Sequence, residues 1–471
     1  MLKGIEFFSK SGNKYFYDDF TGFIFNINQQ GDIRKIEEKH LHLRSLCLNS
    51  SSSKDFDAND IKSYLYDRAE GFKQLFLEVT SMCNFRCKYC TYSEYYDKTR
   101  SHGSEMMSFY VAKKAINYYF ENFKIILNRN PQRKPIINFY GGEPLLNFKL
   151  IKECVNYINK HYKAYLHENM YHITTNGLLL NEKIQDFLYE NKFSVLVSID
   201  GYKENHDRNR LTASGGKTFD LVFNNYKKMR TRYHDAKLSA AGCMDYKTDI
   251  ERIMNFSNKE NIDFVTLSMV EANNSTYYSK FSEIDKFNYS KKYNKILNMM
   301  FDFAKGDLKD ENKFLFKYMS RHFKDIIFRR KPGNGRTEIC PYSASCIMGE
   351  KIYVDTFGKF YLCEKMGCKF DFGNVEQGLD FNKIVTVFKK YRDQSCAKCK
   401  DCNITKLCTL CLKDLDQNFS FTSNKNLCEI QRQGQKRILE NYVTLMESNP
   451  TLFDESTAQY YQKINTCEEL N

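Results

Sequence analysis

Between residues 74 and 269, short apolar runs alternate with longer stretches whose apolar side chains recur at three- and four-residue spacing. The runs "QLFLEVT" (74–80), "PIINFY" (135–140), "MYHITT" (170–175), "SVLVSID" (194–200), "KLSAAG" (237–242) and "DFVTLSM" (263–269) predict six strands. "FYVAKKAINYYFENF" and "DLVFNNYKKM" predict helices between them. Six strand-helix repeats imply parallel strands joined by right-handed crossovers, hence an α/β partial (β/α)6 barrel. In such a fold, chemistry gathers at the carboxyl ends of the strands.

Upstream the period changes to two. "YFYDDFTGFIFNINQQGDI" alternates aromatic and β-branched residues around the turns "DDFTG" and "QQG", predicting a β-meander. The polar linker "SSSSK" (50–54) follows, and then "DANDIKSYLYDRA" reads as a capped helix. Residues 280–331 are mostly helical, rich in Lys, Tyr and Phe. The expected organisation is a small β-rich module at 1–70, the strand-helix core at 71–279, a helical bridge at 280–338, a Cys-rich domain at 339–435 and a helical tail at 436–471.

A chain of 471 residues exceeds what one core serves, and 38 Phe and 33 Tyr supply ample apolar bulk without any Trp. No apolar h-region opens the chain and no 18-residue apolar stretch interrupts it, so a cytoplasmic protein without membrane contact is expected. There, 17 cysteines argue for metal or redox work over a disulfide framework. The formal charge of +13 is spread along the chain without a Lys/Arg tract, which speaks against nucleic acid.

"SMCNFRCKYC" places Cys83, Cys87 and Cys90 at C-x3-C-x2-C directly after the first predicted strand. Thiolates suit soft iron, and three ligands in one loop leave one corner of a cubane cluster open. A structural zinc site is the alternative; it needs a fourth ligand, for which His102 is the nearest residue.

This segment resembles the radical S-adenosylmethionine (SAM) enzymes, whose signature is this spacing with an aromatic residue, here Tyr89, before the last cysteine. The resemblance implies that the open iron holds the amino and carboxylate groups of SAM. "FYGGEP" (139–144) then corresponds to the motif that meets the SAM amino group, with Gly141 and Gly142 allowing close backbone approach and Glu143 satisfying the ammonium. "TTNG" (174–177) and "SIDG" (198–201) close the next two strands. Ser198 resembles the residue near the SAM ribose and Arg210 the one near its carboxylate.

Ten cysteines lie between 340 and 428. Two zinc ribbons are one explanation. The spacing Cys346-x11-Gly358-x4-Cys363, then Cys399-x2-Cys402-x5-Cys408-x2-Cys411 with a distant Cys428, resembles the SPASM domain with two auxiliary [4Fe-4S] clusters. By that resemblance Cys340, Cys346, Cys363 and Cys411 hold the first and Cys399, Cys402, Cys408 and Cys428 the second. The x2 before Cys411 departs from the usual x3, and Cys368 and Cys396 are spare thiols. Cys47, Cys154, Cys243 and Cys467 read as packing residues, with Cys243 close to the active site by its place after the fifth strand. With three clusters loaded the net charge falls to roughly +8.

The resemblance implies an oxidoreductase that cleaves SAM reductively, with an electron from a flavodoxin or ferredoxin, and abstracts hydrogen from a peptide. The expected function is a maturase installing a thioether or carbon-carbon crosslink in a ribosomally made precursor, whose leader adds as a strand to the edge of the amino-terminal sheet, at "KYFYDDF" or "GFIFNIN". The alternative is an anaerobic sulfatase-maturating enzyme, in which an Asp after the third cysteine of the first auxiliary cluster acts as base; that position here is Glu364. An RNA-binding protein with zinc modules is the third reading, and nothing in it explains "GGEP".

Overall fold

The computed structural model describes residues 3–20, 22–28, 55–96, 101–272, 275–306, 346–366, 370–399 (without the side chains of 396–398), 401–414, 427–450 and 452, with single positions between 314 and 339. The linker at 50–54, the turn at 29–31, Cys47, Cys340, Cys368, Cys467 and most of the tail lie outside the described residues.

The chain divides into two units, 57–292 with 347–386, and 1–56 with 293–346 and 387–471. The first is built on an eight-stranded sheet. Its core is six parallel strands in sequential order: β4 (Gln74–Thr80), β5 (Ile137–Gly141), β6 (Tyr171–Thr175), β7 (Ser194–Ser198), β8 (Leu238–Met244) and β9 (Phe264–Met269). Helices α2 (Phe109–Arg129), α3 (Phe148–His161), α4 (Glu182–Glu190), α5 (Lys203–Asn209), α6 (Phe219–Arg232) and α7 (Ile250–Glu260) make the crossovers. This is the expected α/β partial barrel.

Two further strands were not legible in the apolar pattern. β10 (Lys351–Val354) pairs parallel with β4, and β11 (Phe360–Tyr361) pairs antiparallel with β10. They place Cys363 and Glu364 just beyond the sheet.

Alternation along each strand divides the sheet into two faces. Leu75, Leu77, Ile137, Phe139, Val195 and Val197 are buried, as are the apolar stripe residues of α2, including Ile116, Tyr119, Phe120 and Phe123. The α2 stripe starts where Ser108 caps Val111 N at 3.3 Å. The alternate positions Asn138, Tyr140, Thr174, Leu196, Ser198 and Cys243 are only half-buried. Parallel sheets are normally covered on both faces, and a closed eight-stranded barrel fills its interior with side chains. Here these alternate positions keep partial exposure and include the polar Asn138, Thr174 and Ser198.

The capped helix is present as α1 (Ala58–Lys62), where Asp57 and Asp60 form a reciprocal capping box, followed by one wider helical turn.

The second unit contains the meander, β1 (Gly4–Phe8), β2 (Lys14–Asp18) and β3 (Ile24–Asn26), all antiparallel. β2 is central, hydrogen-bonded on both sides, so "KYFYDDF" cannot receive an added strand. The same unit holds helix α10 (Leu427–Ser448) and the turns carrying Cys402, Cys408 and Cys411; α8 (Glu283–Ala304) and α9 (Phe381–Cys399) each pass from one unit into the other. No helix among the described residues is long and apolar enough to cross a membrane.

Candidate active site

Strand β4 delivers the chain into the loop of Cys83, Cys87 and Cys90, and this loop is fastened on two sides. On one, Arg86 N donates to Leu211 O at 2.8 Å, Lys88 N to Asn209 O at 3.0 Å, and Ala213 N to Asn84 O at 3.0 Å. On the other, Gly142 N donates to Thr80 O at 2.9 Å and Glu143 N to Met82 O at 2.7 Å. A Cβ on Gly141 would stand 2.2 Å from Thr80 O, and one on Gly142 2.1 Å from Met82 O. Both glycines therefore admit the backbone of the cysteine loop itself, a closer constraint than approach to a ligand.

The three thiols sense one another pairwise, and burial pushes Cys83 up to about 11 and Cys87 and Cys90 up to about 12. Phe85 N donates to Cys83 Sγ at 3.4 Å and Tyr92 N to Cys90 Sγ at 3.5 Å. Such N–H···S bonds favour thiolates and tune the potential of an iron–sulfur cluster. A bound cation is what would turn these buried thiols into thiolates. Among the described residues no three such side chains converge on a single metal ion; a four-iron cage spreads its ligands wider. His102 stacks on Tyr92 with 5.5 Å between ring centres and does not complete a zinc set with them. The donor set fits a cubane.

Glu143 is buried and holds three donors: Leu145 N at 3.1 Å and Thr175 Oγ1 at 2.6 Å on Oε1, and Asn176 N at 2.7 Å on Oε2. Burial lifts its carboxyl to about 7 against those bonds and the Arg210 charge. It ties the "GGEP" turn to the "TTNG" turn, leaving one acceptor position on Oε2. Asn176 in turn donates to Asn84 Oδ1 at 2.6 Å, inside the cysteine loop. Ser198 is half-buried at the carboxyl end of β7.

The residue that sequence reasoning passed over is Asp200, the acid of "SIDG". It is fully buried and accepts from Arg210 Nε at 3.1 Å, Cys243 N at 2.9 Å and Tyr89 Oη at 2.5 Å. Arg210 reaches on to Cys87 Sγ at 3.9 Å and lies 5.4 Å from the centre of the Tyr89 ring. One carboxylate thus joins the cysteine loop, the Arg210 segment and β8. The available signal was an acid at a strand terminus amid apolar neighbours, where burial without a partner is costly. Cys243 packs against the cluster of Tyr89, Val270, Tyr277 and Phe281, as its position implied.

Glu364 pairs with Lys351 Nζ at 2.9 Å. Burial alone would raise its carboxyl, but the ammonium holds it below the ordinary value, and Tyr140 on the partly exposed face feels its charge. Glu364 is therefore ionised at neutral pH, and the ammonium that keeps it so also weakens it as a base while the pair is intact.

In the other unit Cys399, Cys402, Cys408 and Cys428 come together. Burial, joined by each of the other three thiols, pushes Cys408 up to about 12. Arg432 bonds to Cys402, and Thr409 Oγ1 donates to Gln431 Oε1 at 2.7 Å, linking the Cys408 turn to α10. Cys346 is exposed, Cys411 half-buried, and both belong to this unit; Cys363 belongs to the first. Cys340, the remaining thiol of that expected set, lies outside the described residues, as does Cys368. All described cysteines are free thiols.

Residues 77–256 match the Radical SAM superfamily profile. A cysteine-type anaerobic sulfatase-maturating enzyme of Clostridium novyi is 27% identical over 76% of this chain and 93% of its own length. The radical SAM cyclopropyl synthase TigE of Paramaledivibacter caminithermalis is 22% identical over 81% of this chain and 79% of its own. Among solved structures, anSMEcpe with bound AdoMet superposes with a TM-score of 0.58 at 22% identity, over 79% of this chain and 94% of that one. Streptococcus suis SuiB bound to its precursor peptide SuiA superposes at 0.50 and 12% identity, over 90% of this chain and 98% of that one; both likenesses concern the fold. With the thiol loop, the glycine turn and all but the first residues of β4 inside the matched segment, this chain carries a radical SAM domain.

Proposed function

We propose that this enzyme oxidises a residue of a polypeptide substrate, in the manner of a maturase. Support comes from the partly exposed face of the sheet, with Asn138, Thr174 and Ser198 on it, the Cys83–Cys90 loop after β4, and Glu364, just beyond β11, paired with Lys351. A [4Fe-4S] cluster on Cys83, Cys87 and Cys90 with SAM bound would supply one-electron chemistry able to break an unactivated C–H bond. Glu143 and the turn it fixes would receive the SAM amino group, Ser198 its ribose side, and Arg210, held by Asp200, would set the charge next to Cys87. Tyr89 closes that wall. Glu364 would accept the proton released when the substrate side chain is oxidised.

Of the two maturase chemistries, we favour sulfatase-type conversion of a cysteine or serine side chain to an aldehyde, because relatives with that description match over most of their own length. Crosslinking within a ribosomally made precursor is the second reading, supported by the TigE match. Auxiliary clusters, one of them on Cys399, Cys402, Cys408 and Cys428, would take up the second electron, and a flavodoxin or ferredoxin would supply the electron that SAM cleavage needs. Incubation of the reduced enzyme and SAM with cysteine-containing peptides separates the readings: a product trapped by a hydrazide supports the aldehyde, a hydrazide-silent product lighter by two hydrogens supports the crosslink, and unmodified peptide alongside SAM turnover contradicts both.

A further inference from the structure

Asp19 stands in the turn after β2 and is 2% exposed. Among the described residues of the meander its carboxylate takes one hydrogen bond, from Tyr17 Oη to Oδ1 at 3.1 Å. Its other donors come from the far end of the chain: Thr405 N at 2.8 Å and Thr405 Oγ1 at 2.5 Å on Oδ2, and Lys406 N at 2.9 Å on Oδ1. Lys3 Nζ adds a cation 4.0 Å from Oδ2. Thr405 and Lys406 lie midway between Cys402 and Cys408. Their neighbours Ile404 and Leu407 are buried, Cys408 N closes the turn on Ile404 O at 2.8 Å, and Asn403 Nδ2 donates to Gly4 O at 3.2 Å.

A carboxylate can accept two successive backbone N–H groups with separate oxygens; an amide of the same shape would turn a donor toward one of them. The chemistry at this point therefore requires Asp. The meander also grips the helix that carries the fourth thiol. Lys10 N donates to Thr444 Oγ1 at 3.0 Å, and Glu447 accepts from Tyr15 Oη at 2.8 Å, Asn13 Nδ2 at 2.9 Å and Ser11 Oγ at 2.5 Å. Three of the four thiols, Cys402, Cys408 and Cys428, sit on segments bonded to the amino-terminal sheet.

We infer that Asp19 is a positioning residue for the cluster site of Cys399, Cys402, Cys408 and Cys428: it fixes the Cys402–Cys408 turn so that its two thiols face the other two. The amino-terminal meander is then a built-in part of that site as well as any surface it offers a peptide. The inference rests on reading those four thiols as cluster ligands.

The test uses the full chain with Asp19→Asn, Cys402→Ala and wild type. Iron per chain is measured after anaerobic reconstitution, and the alkylation rate of each cysteine is followed by mass spectrometry in the iron-free proteins. Expected for Asp19→Asn is about tenfold faster alkylation at Cys402 and Cys408, unchanged rates at Cys83, Cys87 and Cys90, and about four fewer irons. Wild-type rates and iron in Asp19→Asn, or acceleration at all cysteines alike, overturn it. If Cys402→Ala keeps all the iron of wild type, the cluster reading itself fails, a distinguishable result. Should Asp19→Asn not fold, Thr405→Ala removes the hydroxyl donor alone and must move the same two cysteines in the same direction; no change there also overturns the inference.

Discussion

Replacing Asp200 by Asn tests whether one buried carboxylate holds the thiol loop against the rest of the barrel mouth. Its partner Arg210 keeps only 10% of its side chain exposed, and the two charges are 3.1 Å apart. At that distance, in an effective dielectric of about 20, they attract by about 5 kcal/mol. The neutral amide would strand a guanidinium that is nine-tenths closed to water, a loss of about 3–5 kcal/mol in measured cases of this kind. Urea unfolding followed by far-UV circular dichroism reads the change, since the chain has no tryptophan to report by fluorescence. Asp200→Asn combined with Arg210→Met should recover at least about 1 kcal/mol of it, because no unpaired charge then remains. A loss under about 1 kcal/mol for Asp200→Asn, or a double variant as unstable as the single, would refute the reasoning.

Three further outcomes are expected. His206 is buried between Asp200 N and Thr218 Oγ1, and burial followed by the Arg210 charge pushes it down to about 3 from an unfolded value of 6.5. Its contribution is complete above pH 6.5 and falls away as the pH drops from there toward 3, at up to about 1.4 kcal/mol per pH unit; His206→Gln should flatten the stability profile between pH 6.5 and 5, and identical profiles would count against the assignment. Gly142→Ala drives a Cβ into Met82 O, so it should reduce iron bound at the Cys83 loop while circular dichroism stays native. Glu364→Gln should lower peptide modification by about 100-fold and leave substrate-free SAM cleavage untouched; undiminished product would remove Glu364 from the reaction.

Local periodicity carried most of the barrel, because each of its six strands buries one face against helices and so writes a strong pattern. β4 spans Gln74–Thr80, the very run predicted, while β8 ends at Met244, two residues past its run, where Gly242 reads as a strand end. Strand β10 escaped because "KIYV" is four residues long and pairs with a strand far back in the chain. The cysteine spacing located the loop but not what fastens it: Asp200, Asn176 and the backbone of 209–213 act through tertiary contacts that leave no local signature. The same holds for Asp19, whose bonds to Thr405 and Lys406 span most of the chain, and for the glycines of "GGEP", whose close neighbour is the cysteine loop.

The proposed chemistry depends on an open iron corner at Cys83, Cys87 and Cys90. Electron paramagnetic resonance of the reduced protein in which Cys399, Cys402, Cys408 and Cys363 are replaced by Ala tests it most directly, recorded with and without SAM. The expected result is a [4Fe-4S] signal that SAM reshapes and that Cys87→Ala abolishes. A signal indifferent to SAM, or one that survives loss of Cys87, would contradict it.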